Sequence, residues 1–329
     1  MRVSLSTLRI LVLLGVFIAT VLFFASQIDG YMNARLFNRI SGSVAVIALI
    51  AVGQAFVVLT RNIDLSIGSV VGCTAYFTGG ILMAWPDLPP VLVPVLAMAI
   101  GAAFGAFNGF LVARFRLPSI IVTLATLAIF RSILVQSSDG SSITTDRLPA
   151  WLTEFATMNA FTVGDLQVRW IVVISLLVVL TAHVFLTRFR AGRTFYAIGS
   201  NPDAAAFAGL NAARTIFLAF VISGALAGLA GFLFLSRFGN ITVVAGLGLE
   251  LKSVGAVVVG GVNIFGGSGN VLGVLIGAAL IDLIDTSLVR WALVSEFWRE
   301  AVLGLLILLA VAADTVLMRR LLRRKGGAA

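Results

Sequence analysis

The sequence predicts an all-α polytopic membrane protein with about ten transmembrane helices, some of them short or broken. Three observations carry this reading. Of 329 residues, 60% are hydrophobic and 11% charged, against about 45–50% and about 25% in soluble domains. The 33 glycines and seven prolines sit largely within apolar runs, as small residues do where helices approach closely in lipid. The mean hydropathy is +1.10, and the runs approach the roughly 20 residues that a helix needs to cross a bilayer.

The first run, residues 10–25, lacks a convincing small-residue cleavage site and is long for a leader, so it reads as an uncleaved anchor. Residues 44–60, 67–85, 91–112, 119–135, 170–186, 216–236 and 301–317 follow as clear spans. Residues 254–265 and 271–284 are short and flank Gly266-Gly267-Ser268-Gly269, so they read as buried short helices or parts of a broken helical hairpin. Ten crossings place both termini on one side. The segments on that side hold Arg2, Arg9, Arg61, Arg114, Arg116, Arg188, Arg190, Arg193, Arg214, Arg319, Arg320, Arg323, Arg324 and Lys325. The opposite side holds half as many: Arg35, Arg39, Arg147, Arg169, Arg237, Arg290 and Arg299. The positive-inside rule then makes the termini cytoplasmic. Membrane orientation accounts for the formal charge of +9, and nucleic acid is excluded as a partner.

Two hydrophilic stretches stand out. Residues 136–167 form a polar external insert, with a short surface helix expected around 151–158. The internal stretch 188–214 is too polar to cross and is patterned for one short helix over 202–208. There Ser200 or Asn201 caps, Pro202 suits the first helical position, Asp203 complements the N-terminus and Gly209 suits termination.

Motifs exclude several chemistries. One cysteine, Cys73, and one histidine, His183, rule out disulfides and Cys/His zinc sites. No Gly-Lys pair exists, so the chain lacks the phosphate-binding loop of an ATPase. The run from Gly267 to Gly273 superficially resembles a nucleotide fingerprint, but it joins two membrane segments and reads as a turn or packing element. Gly101, Gly105 and Gly109, and again Gly224 and Gly228, recur at four-residue spacing and form smooth strips for helix packing. Asn62, Asp64 and Ser66 open an apolar helix, either capping its first-turn amides or marking an interrupted helix whose polar end lines a solute route.

Gln54, Asn108, Arg131, His183, Asp282 and Asp285 lie within spans, where polar groups face a bundle interior or a watery path. Asp282 and Asp285 share a helix face near its outer end and read as a solvated rim. Arg131 either snorkels outward or pairs with a carboxylate or carbonyl. His183 reads as hydrogen-bonded structure.

Three segments together resemble the sugar-type permease subunits of bacterial ABC importers, the family of ribose, other monosaccharide and autoinducer-2 transporters. They are NIDLSIGS at 62–69, GRTFYAIGSNPDAAAFAGLN at 192–211 and AGLGLELKSVGAVVVGGVNIFGG at 245–267. Their order and separation match the family over nearly the whole chain. The resemblance implies one transmembrane permease domain over 1–329, a periplasmic insert over 137–168 and a cytoplasmic coupling loop over 188–214. It also implies a bacterial inner-membrane complex containing a second permease subunit, a cytoplasmic ATPase that holds ATP and Mg, and a periplasmic substrate-binding protein, moving a sugar or similar small polar solute. Gly199, Ser200, Asn201, Pro202, Asp203, Ala204, Ala205, Ala206 and Gly209 would then form the contact with the ATPase. Gln54, Asn62, Asp64, Ser66, Asn108 and Asn263 are the candidates for the pathway or the broken-helix cap. The chain departs from the family pattern at Lys252, where an acid is common, and at Val262-Asn263, where Thr-Ser is common.

Two other classes fit less well. A secondary transporter places ionisable groups near the midplane for ion coupling and shows repeats, whereas only Arg131 is a strong midplane candidate here. An intramembrane enzyme needs a nucleophile and base or a metal constellation, and His183 and Cys73 are far apart in the chain. No catalytic or metal residue and no cofactor of its own is therefore expected.

Overall fold

The computed structural model describes residues 5–291, 295, 298–309 and 312. Arg2, the basic cluster from Arg319 to Lys325 and the second half of the span expected over 301–317 lie outside these residues. In chain order the elements are α1 (Leu5–Gln27), α2 (Ala34–Leu59), α3 (Ile67–Ala84), α4 (Leu92–Phe115), α5 (Ser119–Ser138), α6 (Ala150–Thr157), β1 (Asn159–Val163) and β2 (Leu166–Arg169). Then follow α7 (Trp170–Arg188), α8 (Arg190–Ser200), α9 (Pro202–Phe207), α10 (Ala212–Phe238), α11 (Leu249–Val259) and α12 (Val271–Arg290). Residues 299–309 are helical as well.

Among the described residues eight helices are long and apolar enough to span a membrane. Seven of them, α1 to α5, α7 and α10, fall on the clear runs of the sequence. The eighth is α12, which the sequence placed among the short helices; it is 20 residues long and continues past Asp285 to Arg290. Its carboxylates interrupt the apolar run, but each meets a polar partner, and so the helix does not end at them.

Helix α10 is the centre of the bundle, packed most extensively on α4 and also on α2 and α3. The glycine strips set this geometry. A Cβ on Gly101 would strike the Gly224 carbonyl oxygen and lie 2.7 Å from Gly228 Cα, and one on Gly105 would strike the Phe220 carbonyl oxygen. The backbones of α4 and α10 therefore touch, gaining dispersion contacts that lipid alone would not favour. Helix α2 is buried continuously from Ala45 to Leu59, and α1 lies outside, against α12.

The two polar stretches sit at opposite ends of α2. At one end Asn38 Oδ1 accepts from Gln167 N at 3.0 Å, so this is the insert end. The insert carries α6 where a short helix was expected, and it also contains an antiparallel hairpin of β1 and β2 turning at Gly164-Asp165, which the sequence reading missed. At the other, arginine-rich end the Gly267 N–H donates to the Leu59 carbonyl at 3.0 Å.

Between α10 and α12 the chain crosses in a manner the sequence did not foretell. Ile241 pairs through its backbone with Ile143 of the insert, donating and accepting at 3.0 Å. The chain then runs in extended and turn conformation along α3, bringing the Ala245 carbonyl against Gly72 and Gly246 against Gly68. Gly246 and Gly248 have φ of +79° and +83°, a backbone region that side chains disfavour. Helix α11 completes the descent to Gly260–Gly267. The break expected at Gly266–Gly269 is a real turn, but the larger interruption precedes α11. Non-helical backbone at membrane depth needs partners inside the protein, and Arg131 supplies them: its Nη1 donates to the carbonyls of Val243 at 2.8 Å and Ala245 at 2.7 Å.

Candidate functional site

Two polar assemblies occupy the molecule, one at the arginine-rich end and one towards the insert end. At the arginine-rich end the internal loop forms two short helices instead of the single one expected. Helix α8 buries Phe195 and Ile198 on its apolar side; the Phe195 ring meets Phe56 of α2 edge-on at 5.2 Å. Gly192 lies against the Phe185 carbonyl and Gly199 against the Leu59 carbonyl, with no room for a side chain at either. Tyr196 donates its hydroxyl to the Gly269 carbonyl at 3.3 Å, and burial raises its pKa, which keeps the donor protonated.

Helix α9 is capped as its sequence indicated. Asn201 Oδ1 accepts from Ala204 N at 3.0 Å, Pro202 begins the helix, Asp203 sits in the first turn and Gly209 follows at φ +76°. Ser200 ends α8 and is not the cap. The three alanines do not present one face: Ala205 is buried against its own chain, while Ala204 and Ala206 are exposed. Only the latter two are free to meet another protein. Phe207, absent from the sequence reading, is 93% exposed at the end of α9. Its signal was present as the one aromatic of α9, directly after three alanines.

Arg61 ties this loop to the bundle. In a left-handed conformation, φ +66°, it donates through Nε to the Gly199 carbonyl at 2.6 Å and through Nη2 to the Ser200 carbonyl at 2.9 Å. A guanidinium on the last carbonyls of α8 satisfies acceptors that have no helical partner and complements the negative end of the helix. Arg61 itself lies in the interruption between α2 and α3.

That interruption gathers four of the six candidate pathway residues. Asp64 Oδ1 accepts from Ser66 N at 3.0 Å and from Ser66 Oγ at 2.7 Å, and Asn108 Nδ2 donates to Ser66 Oγ at 2.8 Å. Gln54, its amide oriented to satisfy both neighbours, accepts from Asp64 N at 3.1 Å and donates to the Asp64 carbonyl at 3.2 Å. Of the two residues expected to cap α3, Ser66 makes no side-chain cap bond, because Asp64 and Asn108 engage its hydroxyl, while Asp64 accepts from the Ser66 amide at the entry to the helix. Asn62 folds back on Thr60, and Asn263 stays in the glycine turn, accepting from Phe265 N at 2.9 Å. Gln54, Asp64, Ser66 and Asn108 are each 1% exposed or less, so the cluster is closed.

The second assembly lines a cavity of about 560 Å³ between α2, α10, the extended segment and α12. Asp285 Oδ2 meets Lys252 Nζ at 2.6 Å, and its Oδ1 meets Arg299 Nη2 at 2.8 Å. Asp282 Oδ1 accepts from Ser43 Oγ at 2.8 Å. Arg237 lies on the same wall and donates to the Arg39 carbonyl at 3.1 Å. The solvated rim expected for the two aspartates is corrected: Asp282 is 1% and Asp285 6% exposed. Sequence reading could not find this cluster, because its members are separated by up to 260 residues and converge only in the fold. None of the candidate pathway residues lines this cavity.

Comparison with known proteins places these features in a family. Residues 36–311 match the family described as branched-chain amino acid transport system / permease component. The autoinducer 2 import system permease protein LsrC of Enterobacter sp. (strain 638) is 37% identical over 318 residues, covering 97% of this chain and 88% of the relative. The proteins of the same name from Yersinia enterocolitica and Escherichia coli O9:H4 are 34% and 35% identical, covering 86% and 90% of this chain and 76% and 84% of theirs. No solved structure matches the chain. With most of its length aligned on both grounds, the chain belongs to the branched-chain amino acid transport system / permease component family.

Proposed function

We propose that the protein is the membrane-spanning permease subunit of an ATP-driven importer for a sugar or similar small polar solute. It acts with a second permease subunit of the same or homologous sequence, a cytoplasmic ATPase that holds ATP and Mg, and a periplasmic substrate-binding protein. The chain itself catalyses no reaction; its role is to form part of the passage and to convert ATPase closure into alternating access. It lies in the bacterial inner membrane with both termini in the cytoplasm, the loop 188–214 facing the ATPase and the insert 137–168 facing the periplasm. The names of its relatives support the importer class.

The observation that carries the coupling assignment is Phe207 on α9. An aromatic ring 93% exposed to water, on a capped helix tied through Arg61 to the α2–α3 interruption, suits insertion into a cleft of another protein. Phe207→Ala is expected to weaken ATPase binding about 30-fold, from a loss of about 2 kcal/mol at an aromatic anchor. ATP-driven uptake in reconstituted vesicles should fall with it. The thermal transition of the isolated chain should not move, because the ring packs on almost nothing. Unchanged ATPase binding and uptake would remove the coupling assignment. Concentrative uptake by vesicles holding this chain and no ATPase, driven by an ion gradient, would replace the importer reading with a secondary transporter.

Orientation is checked separately. In a Cys73→Ala background, single cysteines replacing Glu154 and Asp165 are expected to react with an impermeant maleimide from the periplasm, and one replacing Arg193 only after the membrane is opened. Periplasmic labelling at position 193 would invert the topology.

A further inference from the structure

We infer that the cavity between α2, α10 and α12 is a site for a small oxyanion, a solute bearing a carboxylate or phosphate group, held by Arg237 and Arg39. The inference rests on the importer reading and adds the charge of what is carried.

The charged side chains of the lining carry the argument. Among the described residues four cations, Arg39, Arg237, Lys252 and Arg299, share the wall with two carboxylates, Asp282 and Asp285. Asp285 engages two of the cations by itself, with Lys252 Nζ 2.6 Å from its Oδ2 and Arg299 Nη2 2.8 Å from its Oδ1. Asp282 is then the one carboxylate left to face both Arg237 and Arg39, and its Oδ1 accepts from Ser43 Oγ instead of either guanidinium. Arg39 and Arg169 both repel Arg237, while Asp282 attracts it. Arg237 donates one N–H to the Arg39 carbonyl at 3.1 Å and lies over the Phe238 ring at 5.3 Å. Since a guanidinium is a fork of five donors, most of it is left to meet a solute.

A surplus of positive charge in a partly enclosed space is unfavourable, because like charges repel more strongly where water is displaced. A bound anion relieves that repulsion. The planar guanidinium matches carboxylate and phosphate with two parallel hydrogen bonds, which a single ammonium cannot do. Walls of one net sign also focus the field and concentrate ions of the opposite sign. The same field turns away a cation, and a neutral solute leaves the surplus in place. Asp282 Oδ2, buried without a hydrogen-bond partner, adds a second requirement: the anion also carries an O–H or N–H donor, since a buried acceptor left alone is costly. A volume of about 560 Å³ is within the range of small-molecule sites.

The test uses the purified full chain in detergent with Cys73→Ala and Thr242→Cys, Thr242 being part of the lining. A neutral methanethiosulfonate labels position 242, and solutes are scored by how far they slow it. D-glucuronate is the organic anion, D-glucose its neutral counterpart, D-glucosamine its cationic one, and inorganic phosphate the anion without a carbon frame. Glucuronate, phosphate or both are expected to slow labelling about tenfold at roughly ten times the dissociation constant, whereas glucose and glucosamine at the same concentration leave the rate unchanged. A second readout needs no solute: a sulfonate-bearing reagent should label position 242 several-fold faster, relative to an ammonium-bearing one, than the same two reagents label cysteine in solution, and added salt should shrink the difference. Arg237→Gln should abolish protection by the anion and return the reagent ratio towards its solution value. Should Arg237→Gln fail to fold, Arg39→Gln, at an exposed position, is expected to weaken the same protection several-fold. Asp282→Asn keeps an acceptor and removes a negative charge, so protection by the anion should persist at an equal or lower concentration. No protection by either anion, equal protection by glucose or glucosamine, a reagent ratio no different from that in solution, undiminished protection in Arg237→Gln, or its loss in a folded Asp282→Asn each overturns the inference. None of these readouts needs ATP or an ATPase, so a negative result here leaves the importer reading to its own vesicle test.

Discussion

Gly101→Val is expected to lower the thermal transition of the solubilised protein by about 4 °C, from a loss of about 3 kcal/mol. A Cβ at this position meets the Gly224 carbonyl and the Gly228 backbone. These atoms belong to a helix and cannot rotate aside as a flexible side chain would. The whole of α4 must therefore move away from α10, and the most extensive helix contact in the bundle loses its close approach. Ordinary overpacking costs about 1–3 kcal/mol because neighbours yield; here the neighbours are backbone, which puts the effect at the upper end. Gly80→Ala is the matched control. No atom lies within 4 Å of a Cβ at Gly80, so exchanging a helical glycine for alanine there should leave stability unchanged or raise it by up to about 1 kcal/mol. Differential scanning fluorimetry of the two variants decides the matter, and equal transitions would mean that the glycine strip does not set the packing of α4 on α10.

Asp285→Ala is the second large effect, a loss of about 2–3 kcal/mol measured by the same thermal unfolding. Removing one member of a buried ion pair costs about 3–5 kcal/mol, because a charge is stranded. The lower figure applies because Lys252 and Arg299 keep 21% and 32% of their side chains exposed. Asp285 joins α11, α12 and the helix over 299–309, so its loss leaves two cations facing each other across three elements. Lys252→Met in the same chain removes one of them and is expected to recover part of the stability, as coupled neighbours do. Wild-type stability in Asp285→Ala would show that the triad does not hold these helices together.

Much of this architecture was legible in one dimension. Seven spanning helices follow from apolar runs because lipid forces each backbone to satisfy itself locally. The α9 cap at Asn201-Pro202 was equally readable, since Asn201 Oδ1 and Ala204 N are three residues apart. The Gly101, Gly105 and Gly109 strip was visible as a spacing, though its partner became visible only as Gly224 and Gly228 met it in the fold.

Local sequence carries little information where the stabilising partner is distant in the chain. The apolar run of α12 stops at Ile284, just before Asp285; Lys252 and Arg299 pair with that carboxylate and the helix continues to Arg290. The descent over 241–248 could not be recognised as a crossing, because non-helical backbone in a membrane is stable only when something such as Arg131 takes its carbonyls. Ala205 seemed available to a partner for the converse reason: an alanine in a small-residue loop gives no sign of which side its own chain will cover.

The sequence by itself determined the membrane class, most of the helices, the polar loops and the permease family, all of which depend on composition, local hydrogen bonding or short motifs. The tertiary structure decided which charges share a cavity, which residue of α9 is offered outward and how the crossing before α12 is built. Each of these depends on pairing groups far apart in the chain, and a buried charge or an unpaired carbonyl acquires its energy from the neighbour that the fold brings to it.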